Sequence, residues 1–134
     1  MEPLMPHRHA FLVEDNPTIR DNLIPSLAEM SDVDVVGTAE GETEAVAWLM
    51  LHPAAADFVI LDLFLAQGSG IGVLKQLQAL DFNLPVVVLT NYATDDVRQR
   101  CAALGARALF DKSEQIEEFF IFCENGLQNP GSLH

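Results

Sequence analysis

Five polar side chains share one kind of position, because each lies where a short apolar run of the sequence ends. They are Glu14, Asp15, Asp62, Thr90 and Lys112. Gathered carboxylates favour Mg²⁺, which prefers oxygen ligands, and a lysine with a hydroxyl can bind the oxygens of a phosphoryl group. A carboxylate can also act as a nucleophile and form an aspartyl phosphate. The set therefore predicts reversible phosphorylation of an aspartate; the simpler interpretation is loop acids beside a surface lysine.

The apolar runs indicate the strands that would bring these side chains together. Five of them show little alternation with polar residues, at 10–13, 33–38, 58–61, 86–89 and 108–110. Such runs are typical of parallel strands covered on both faces, and a segment of helical periodicity follows each one. Five strands alternating with five helices predict a doubly wound α/β fold with one parallel sheet. The carboxyl ends of parallel strands share one edge, where ligands bind, so we expect the five polar side chains to meet there.

Length and charge limit the possible functions. The chain has 134 residues, with 20 acidic and 7 basic side chains and a formal net charge of −13. This size predicts one domain, expected at 9–125 with flexible tails at 1–8 and 126–134. The few, scattered basic residues argue against binding nucleic acid or an anionic membrane.

The compartment is predicted from what the sequence lacks. No apolar run approaches the ~20 residues that span a bilayer, and residues 1–9 contain no apolar core of a signal peptide. Cys101 and Cys123 fall at apolar helix positions and are interpreted as small buried hydrophobic residues. We therefore expect a soluble, reduced, cytoplasmic protein.

Several segments together resemble the receiver domain of bacterial two-component response regulators, and its single-domain chemotaxis member in particular. The segments are Phe11-Leu12-Val13-Glu14-Asp15-Asn16, Val59-Ile60-Leu61-Asp62-Leu63 with Ser69-Gly70, Val86-Val87-Val88-Leu89-Thr90-Asn91, and Leu104-Gly105-Ala106 through Asp111-Lys112-Ser113. The resemblance covers roughly residues 9 to 125. It implies a flavodoxin-like (βα)5 fold with strand order 2-1-3-4-5.

The resemblance also implies a metal site. Asp62 matches the phosphoacceptor, Asp15 the acid that binds Mg²⁺ directly, and Glu14 the acid that acts through a water. Phe64, two residues past the acceptor, would offer its backbone carbonyl to the metal. Mg²⁺ is thus the expected cofactor.

The residues expected around the phosphoryl group follow from the same resemblance. Thr90 matches the hydroxyl that turns towards this group, and Lys112 matches the lysine that pairs with it. Backbone groups of Phe64 and Asn91 would also bind it. The donor would be a sensor histidine kinase or a histidine phosphotransfer protein, and an unidentified downstream protein would respond. The domain would catalyse only its own phosphorylation and dephosphorylation.

Four positions depart from the commonest receiver pattern, and one of them is Ser113, where many relatives have a proline. Leu109 stands where an aromatic switch residue is frequent; either coupling to Thr90 is weak or another side chain serves, and Leu109 is otherwise plain core. Ala66 replaces a frequent proline. Phe64 is bulky beside the phosphoryl site, and it either shields the aspartyl phosphate from water or packs on its own loop.

The last helix is unusually apolar. We expect Ser113 to cap it, and Ile116, Phe119, Phe120 and Cys123 form one buried stripe at helical spacing. At 100° per residue, Ile121 and Phe122 are predicted to point away from that stripe. They suggest a partner surface or a homodimer, the alternative being scattered surface hydrophobic residues.

Other functions compete with a stand-alone phosphorylation switch. A phosphohydrolase using Asp62 would usually carry an acid two residues later, where Phe64 stands. A flavodoxin-like cofactor carrier would need a phosphate-binding loop after the first strand, where the residues are acidic instead. A degenerate receiver that only docks proteins is the remaining alternative, and the complete acid–threonine–lysine set argues against it. The chain is expected to be a single-domain regulator, although it also fits a fragment of a longer protein.

Overall fold

The fold is described by a computed structural model for residues 8–128. Its five strands are β1 (Arg8–Val13), β2 (Val33–Ala39), β3 (Phe58–Leu61), β4 (Val86–Thr90) and β5 (Ala108–Asp111). Its five helices are α1 (Pro17–Ser31), α2 (Glu42–Leu51), α3 (Gly70–Ala79), α4 (Asp95–Ala103) and α5 (Ile116–Glu124). Strands and helices alternate along the chain as predicted.

All strand pairs are parallel, and the sheet has the order β2-β1-β3-β4-β5. The predicted flavodoxin-like order 2-1-3-4-5 is therefore confirmed. The strand order changes direction between the neighbouring strands β1 and β3. A ligand crevice is expected at the carboxyl ends of these two strands.

The apolar strands separate two hydrophobic cores. In β1, Phe11 and Val13 face a cluster shared with α2, α3 and α4, while Ala10 and Leu12 face a cluster shared with α1 and α5. Both faces of the sheet are covered, which explains why its central strands β1, β3 and β4 lack polar alternation.

Ordered structure extends slightly past the expected limits of 9 and 125. β1 begins at Arg8, and Leu127 is buried in the cluster with α1 and α5. The rest of the expected tails, residues 1–7 and 129–134, lies outside the described residues.

The prediction that Ser113 caps the last helix is wrong. Helix α5 begins at Ile116, and its N-cap residue, Gln115, makes no side-chain capping bond. The Ser113 backbone N–H instead donates to Asp111 Oδ1 at 2.7 Å, which forms a turn before the helix.

The outward orientation predicted for Phe122 is also wrong. Only 4% of Phe122 is exposed, and its ring lies 5.2 Å from that of Phe110, centroid to centroid. Helix α5 packs on the sheet and also against α1, where Ser31 Oγ donates to the Phe120 carbonyl at 2.7 Å. Contact on two sides buries a wider arc than one stripe, and of these two residues only Ile121, at 44% exposure, points outward. A surface formed by both residues is thereby excluded.

Candidate functional site: an acidic pocket at the carboxyl edge of the sheet

The predicted side chains are positioned by hydrogen bonds that continue the strand pairing. The Glu14 N–H donates to the last carbonyl of β2 at 3.0 Å, and the Asp62 N–H donates to the last carbonyl of β1 at 3.0 Å. The Lys112 N–H donates to the Thr90 carbonyl at 2.8 Å. The same backbone pairing that builds the sheet therefore brings β1, β3, β4 and β5 residues to one edge.

Lys112 joins two acids that come from different strands. Its Nζ lies 2.7 Å from Glu14 Oε1 and 2.9 Å from Asp62 Oδ2. All three side chains are at least nine-tenths covered by protein. Buried charges that are paired and hydrogen-bonded avoid the cost of isolated ones, so this contact accounts for a lysine at this depth.

Burial and charge shift the ionisation of the pair. Burial raises the pKa of the Glu14 carboxyl, assisted by the negative charge of Asp62 and opposed by the hydrogen bond from Lys112. Burial alone would lower the pKa of Lys112, but hydrogen bonds to Glu14 and Asp62 outweigh it and raise that pKa. Lys112 is therefore held as a cation between the two acids.

Asp15 adds a third carboxylate. Glu14, Asp15 and Asp62 each place one oxygen within 4.8 Å of the others. Three carboxylates and one ammonium group, −3 and +1, leave a formal charge of −2. A hard divalent cation with oxygen ligands matches both that charge and that donor set, so the residues fit Mg²⁺.

The Asp62 carboxylate is fixed in direction by both its oxygens. Oδ1 accepts a hydrogen bond from the Leu63 N–H at 2.7 Å, and Oδ2 accepts one from Lys112 at 2.9 Å. Glu14 is held in a similar way, because its Oε2 accepts from the Asn16 N–H at 3.1 Å. Such oriented carboxylates need little rearrangement before a reaction.

Two aromatic rings form the rim of the pocket. Phe64 and Tyr92 lie with their ring centroids 4.4 Å apart, and both are more than half exposed. They line a cavity of about 200 Å³ together with Asn91 and the acidic residues. Phe64 was among the predicted site residues and Tyr92 was not, although its place two residues after Thr90 was an available signal.

Thr90 is fully buried, and it does not line this cavity. Its Oγ1 accepts a hydrogen bond from the Tyr92 N–H at 3.2 Å, which links the hydroxyl to the loop leading into α4. A movement of the hydroxyl therefore requires a change in that loop.

Leu109, expected at the switch position, and its aromatic neighbour Phe110 face opposite sides of the sheet. Leu109 packs against the cluster shared with α2, α3 and α4, whereas Phe110 packs with the rings of α5. Phe110 therefore cannot replace the missing aromatic ring at position 109. The Leu109 carbonyl accepts a hydrogen bond from Arg98 of α4 at 3.1 Å, a contact that no sequence pattern indicated.

Fold and site define a class: a flavodoxin-like sheet whose switch point carries acids, a threonine and a lysine. The profile of the response regulator receiver domain family matches residues 10–121. The chain belongs to this family, which functions in two-component signalling.

Individual relatives agree with that assignment. The DNA-binding transcriptional activator DevR/DosR of Mycobacterium tuberculosis is 34% identical over 96 residues, 72% of this chain and 43% of the relative. Protein-glutamate methylesterase/protein-glutamine glutaminase 1 of Carboxydothermus hydrogenoformans is 33% identical over 94 residues, 70% of this chain and 27% of the relative. The chain thus spans less than half the length of either protein.

A solved structure also supports the assignment to the receiver domain family. The non-phosphorylated HemR receiver domain of Leptospira biflexa superposes with a TM-score of 0.75 at 30% identity, covering 90% of this chain and 94% of that one.

Among residues 8–128, no helix has both the length and the apolar character needed to cross a membrane.

Proposed function

We propose that this receiver domain is phosphorylated on Asp62 in a Mg²⁺-dependent reaction and that the modification switches its binding to a partner protein. The observation that carries the proposal is the contact of Lys112 with Asp62, inside a pocket where Glu14 and Asp15 supply two further carboxylates. Receiver domains of two-component systems interact with histidine kinases. We therefore propose a phosphohistidine, on a sensor kinase or a phosphotransfer protein, as the donor.

The transfer is a single displacement at phosphorus. A carboxylate oxygen of Asp62 forms the new O–P bond while the N–P bond to the donor imidazole breaks, and that nitrogen keeps the electron pair. Lys112, already within hydrogen-bond distance of Asp62, can pair with the incoming phosphoryl oxygens. Such positioning and charge stabilisation supply most of the catalysis in phosphoryl transfer.

Glu14, Asp15 and Asp62, with the backbone carbonyl of Phe64, are the residues that would hold Mg²⁺. When bound, the ion would neutralise negative charge on the acids and on the phosphoryl oxygens. Thr90 and the backbone of Asn91 are proposed to contact the modified Asp62. The domain would have no catalytic activity beyond its own phosphorylation and dephosphorylation.

The setting of this reaction is proposed as the cytoplasm. Cys101 and Cys123 are both free and buried, as suits a reducing compartment.

The test is incubation of the full chain with Mg²⁺ and acetyl phosphate, followed by intact mass measurement. We expect one phosphoryl adduct in the wild type, and none with EDTA or in Asp62→Asn. Asp57→Asn is the matched control, because it removes an aspartate that is exposed and pairs with His9. An adduct that persists in Asp62→Asn would refute the proposal. Absence of any adduct, with this donor or with a kinase, would favour a receiver that only docks proteins.

A further inference from the structure

The loop between β3 and α3 is held by a side chain from α2. Glu42 is the first residue of α2, and its Oε1 accepts a hydrogen bond from the Ser69 N–H at 3.0 Å. Its Oε2 accepts from Gln76 Nε2 at 2.7 Å, about two turns further along α3. Glu42 therefore bonds both to the residue that caps α3 and to α3 itself.

Backbone N–H groups donate further hydrogen bonds across this junction between the start of α2 and the β3–α3 loop. The Glu42 N–H donates to the Gln67 carbonyl at 2.8 Å, and the Thr43 N–H donates to Gln67 Oε1 at 2.9 Å. The Ala66 N–H donates to the Glu40 carbonyl at 3.0 Å. Three hydrogen bonds therefore join the loop to residues 40–43.

Two glycines make room for the Glu42 side chain. A methyl group on Gly68 or on Gly72 would collide with it. Gly68 also has a φ of +71°, a conformation that other residues adopt at a cost. The sequence around α3 is therefore fitted to a carboxylate that comes from another helix.

The junction continues directly into the acidic pocket. Ser69, which Glu42 holds, forms an antiparallel bridge with Phe64, and the Gly70 N–H donates to the Leu63 carbonyl at 2.9 Å. The Leu63 N–H in turn donates to Asp62 Oδ1 at 2.7 Å. A continuous set of hydrogen bonds therefore connects Glu42 to the acceptor.

We propose that Glu42 is a positioning residue for the divalent cation site, acting through Ser69 to hold the backbone of residues 62–64. Without it, the Phe64 carbonyl and the Asp62 carboxylate sample more orientations, and the cation binds more weakly. This inference rests on the proposed function of the pocket.

The experiment is a Mg²⁺ titration of the full chain, in which backbone amide chemical shifts in NMR spectra report the binding. We expect Glu42→Ala to raise the dissociation constant about tenfold, the low end of the loss seen when groups that orient metal ligands are removed. Amides of residues 63–69 should exchange faster with solvent in this variant, even without Mg²⁺. Glu42→Gln should stay near the wild type, because its amide oxygen can still accept from Ser69.

A second substitution displaces the same carboxylate without removing it. Gly72→Ala places a methyl group against the flexible end of Glu42, and we expect it to weaken Mg²⁺ binding to a similar degree. In the Glu42→Ala background the same methyl group meets no carboxylate. It should then cause no further loss of affinity.

Ser31→Ala controls for general destabilisation. It removes a buried hydrogen bond between α1 and α5 without touching the β3–α3 loop. We expect it to lower the melting temperature and leave the Mg²⁺ dissociation constant unchanged.

The outcomes separate the two proposals. If the wild type binds no Mg²⁺, the proposed function of the pocket fails. If the wild type binds but Glu42→Ala binds equally well, only the role of Glu42 is overturned. An equal loss of affinity in Ser31→Ala would also overturn it, since the effect would then follow stability alone.

Discussion

The acidic pocket is expected to cost stability when it holds no cation, and Asp15→Asn measures that cost. The carboxylate oxygens lie within 4.8 Å of one another, and two unit charges at that limit repel by about 3 kcal/mol at an effective dielectric constant of ~20. Asp15 has two like charges nearby, Glu14 and Asp62, and Lys112 offsets roughly one of them. One uncompensated repulsion remains, and because Asp15 is only half-buried, solvent screening reduces it to about 1 kcal/mol. In EDTA, Asp15→Asn should therefore be more stable than the wild type by about 1 kcal/mol.

Mg²⁺ should reverse that order. A ligand that binds only the folded state stabilises it by about 2.7 kcal/mol when present at roughly a hundredfold excess over its dissociation constant. The wild type should gain this stabilisation, while Asp15→Asn, which lacks one ligand, should gain much less.

Urea denaturation with and without Mg²⁺ is the assay, and Asp34→Asn, at an exposed position of β2, is the control for charge alone. If Asp15→Asn is less stable than the wild type in EDTA, the repulsion argument is refuted.

Three further predictions follow from the rim, the core and the loop. Phe64, 58% exposed over the pocket, should protect a phosphorylated Asp62 from water, so Phe64→Asn should lose phosphate several-fold faster in a time course; an unchanged rate rules out shielding. Burial raises the pKa of Cys123 to about 12 and also raises that of Cys101, so both thiols should resist alkylation at pH 8 until urea unfolds the protein; rapid labelling of the folded chain would contradict their burial. A methyl group at Gly70 would collide with the Asp62 backbone carbonyl, so Gly70→Ala should lower the free energy of unfolding by about 1–3 kcal/mol and slow phosphorylation. If Gly70→Ala is as stable as the wild type in urea, the loop can shift to accommodate the methyl group and the prediction is wrong.

The fold was predictable because the central strands β1, β3 and β4 are buried on both faces and therefore appear in the sequence as apolar runs. The central residues of the site were predictable for a related reason. Glu14, Asp62, Thr90 and Lys112 directly follow or end those runs, and a parallel sheet leaves them only one edge to occupy.

Features that depend on packing between helices were not predictable. Phe122 is buried because α5 contacts α1 as well as the sheet, and a single-stripe analysis of one helix cannot include a second neighbour. Glu42 bonds to a loop 27 residues away, and its sequence position at the start of a helix suggests only a solvated acid. The need for glycine at positions 68 and 72 is likewise apparent only once the contact with Glu42 is known.

The chemical identity of the modified residue is the most direct test of the central claim. After phosphorylation of the full chain, borohydride reduction converts an acyl phosphate to the corresponding alcohol, and tandem mass spectrometry locates the change. We predict conversion of Asp62 to homoserine, dependent on Mg²⁺ during phosphorylation. Conversion of another acid, with Asp62 unchanged, would contradict the account.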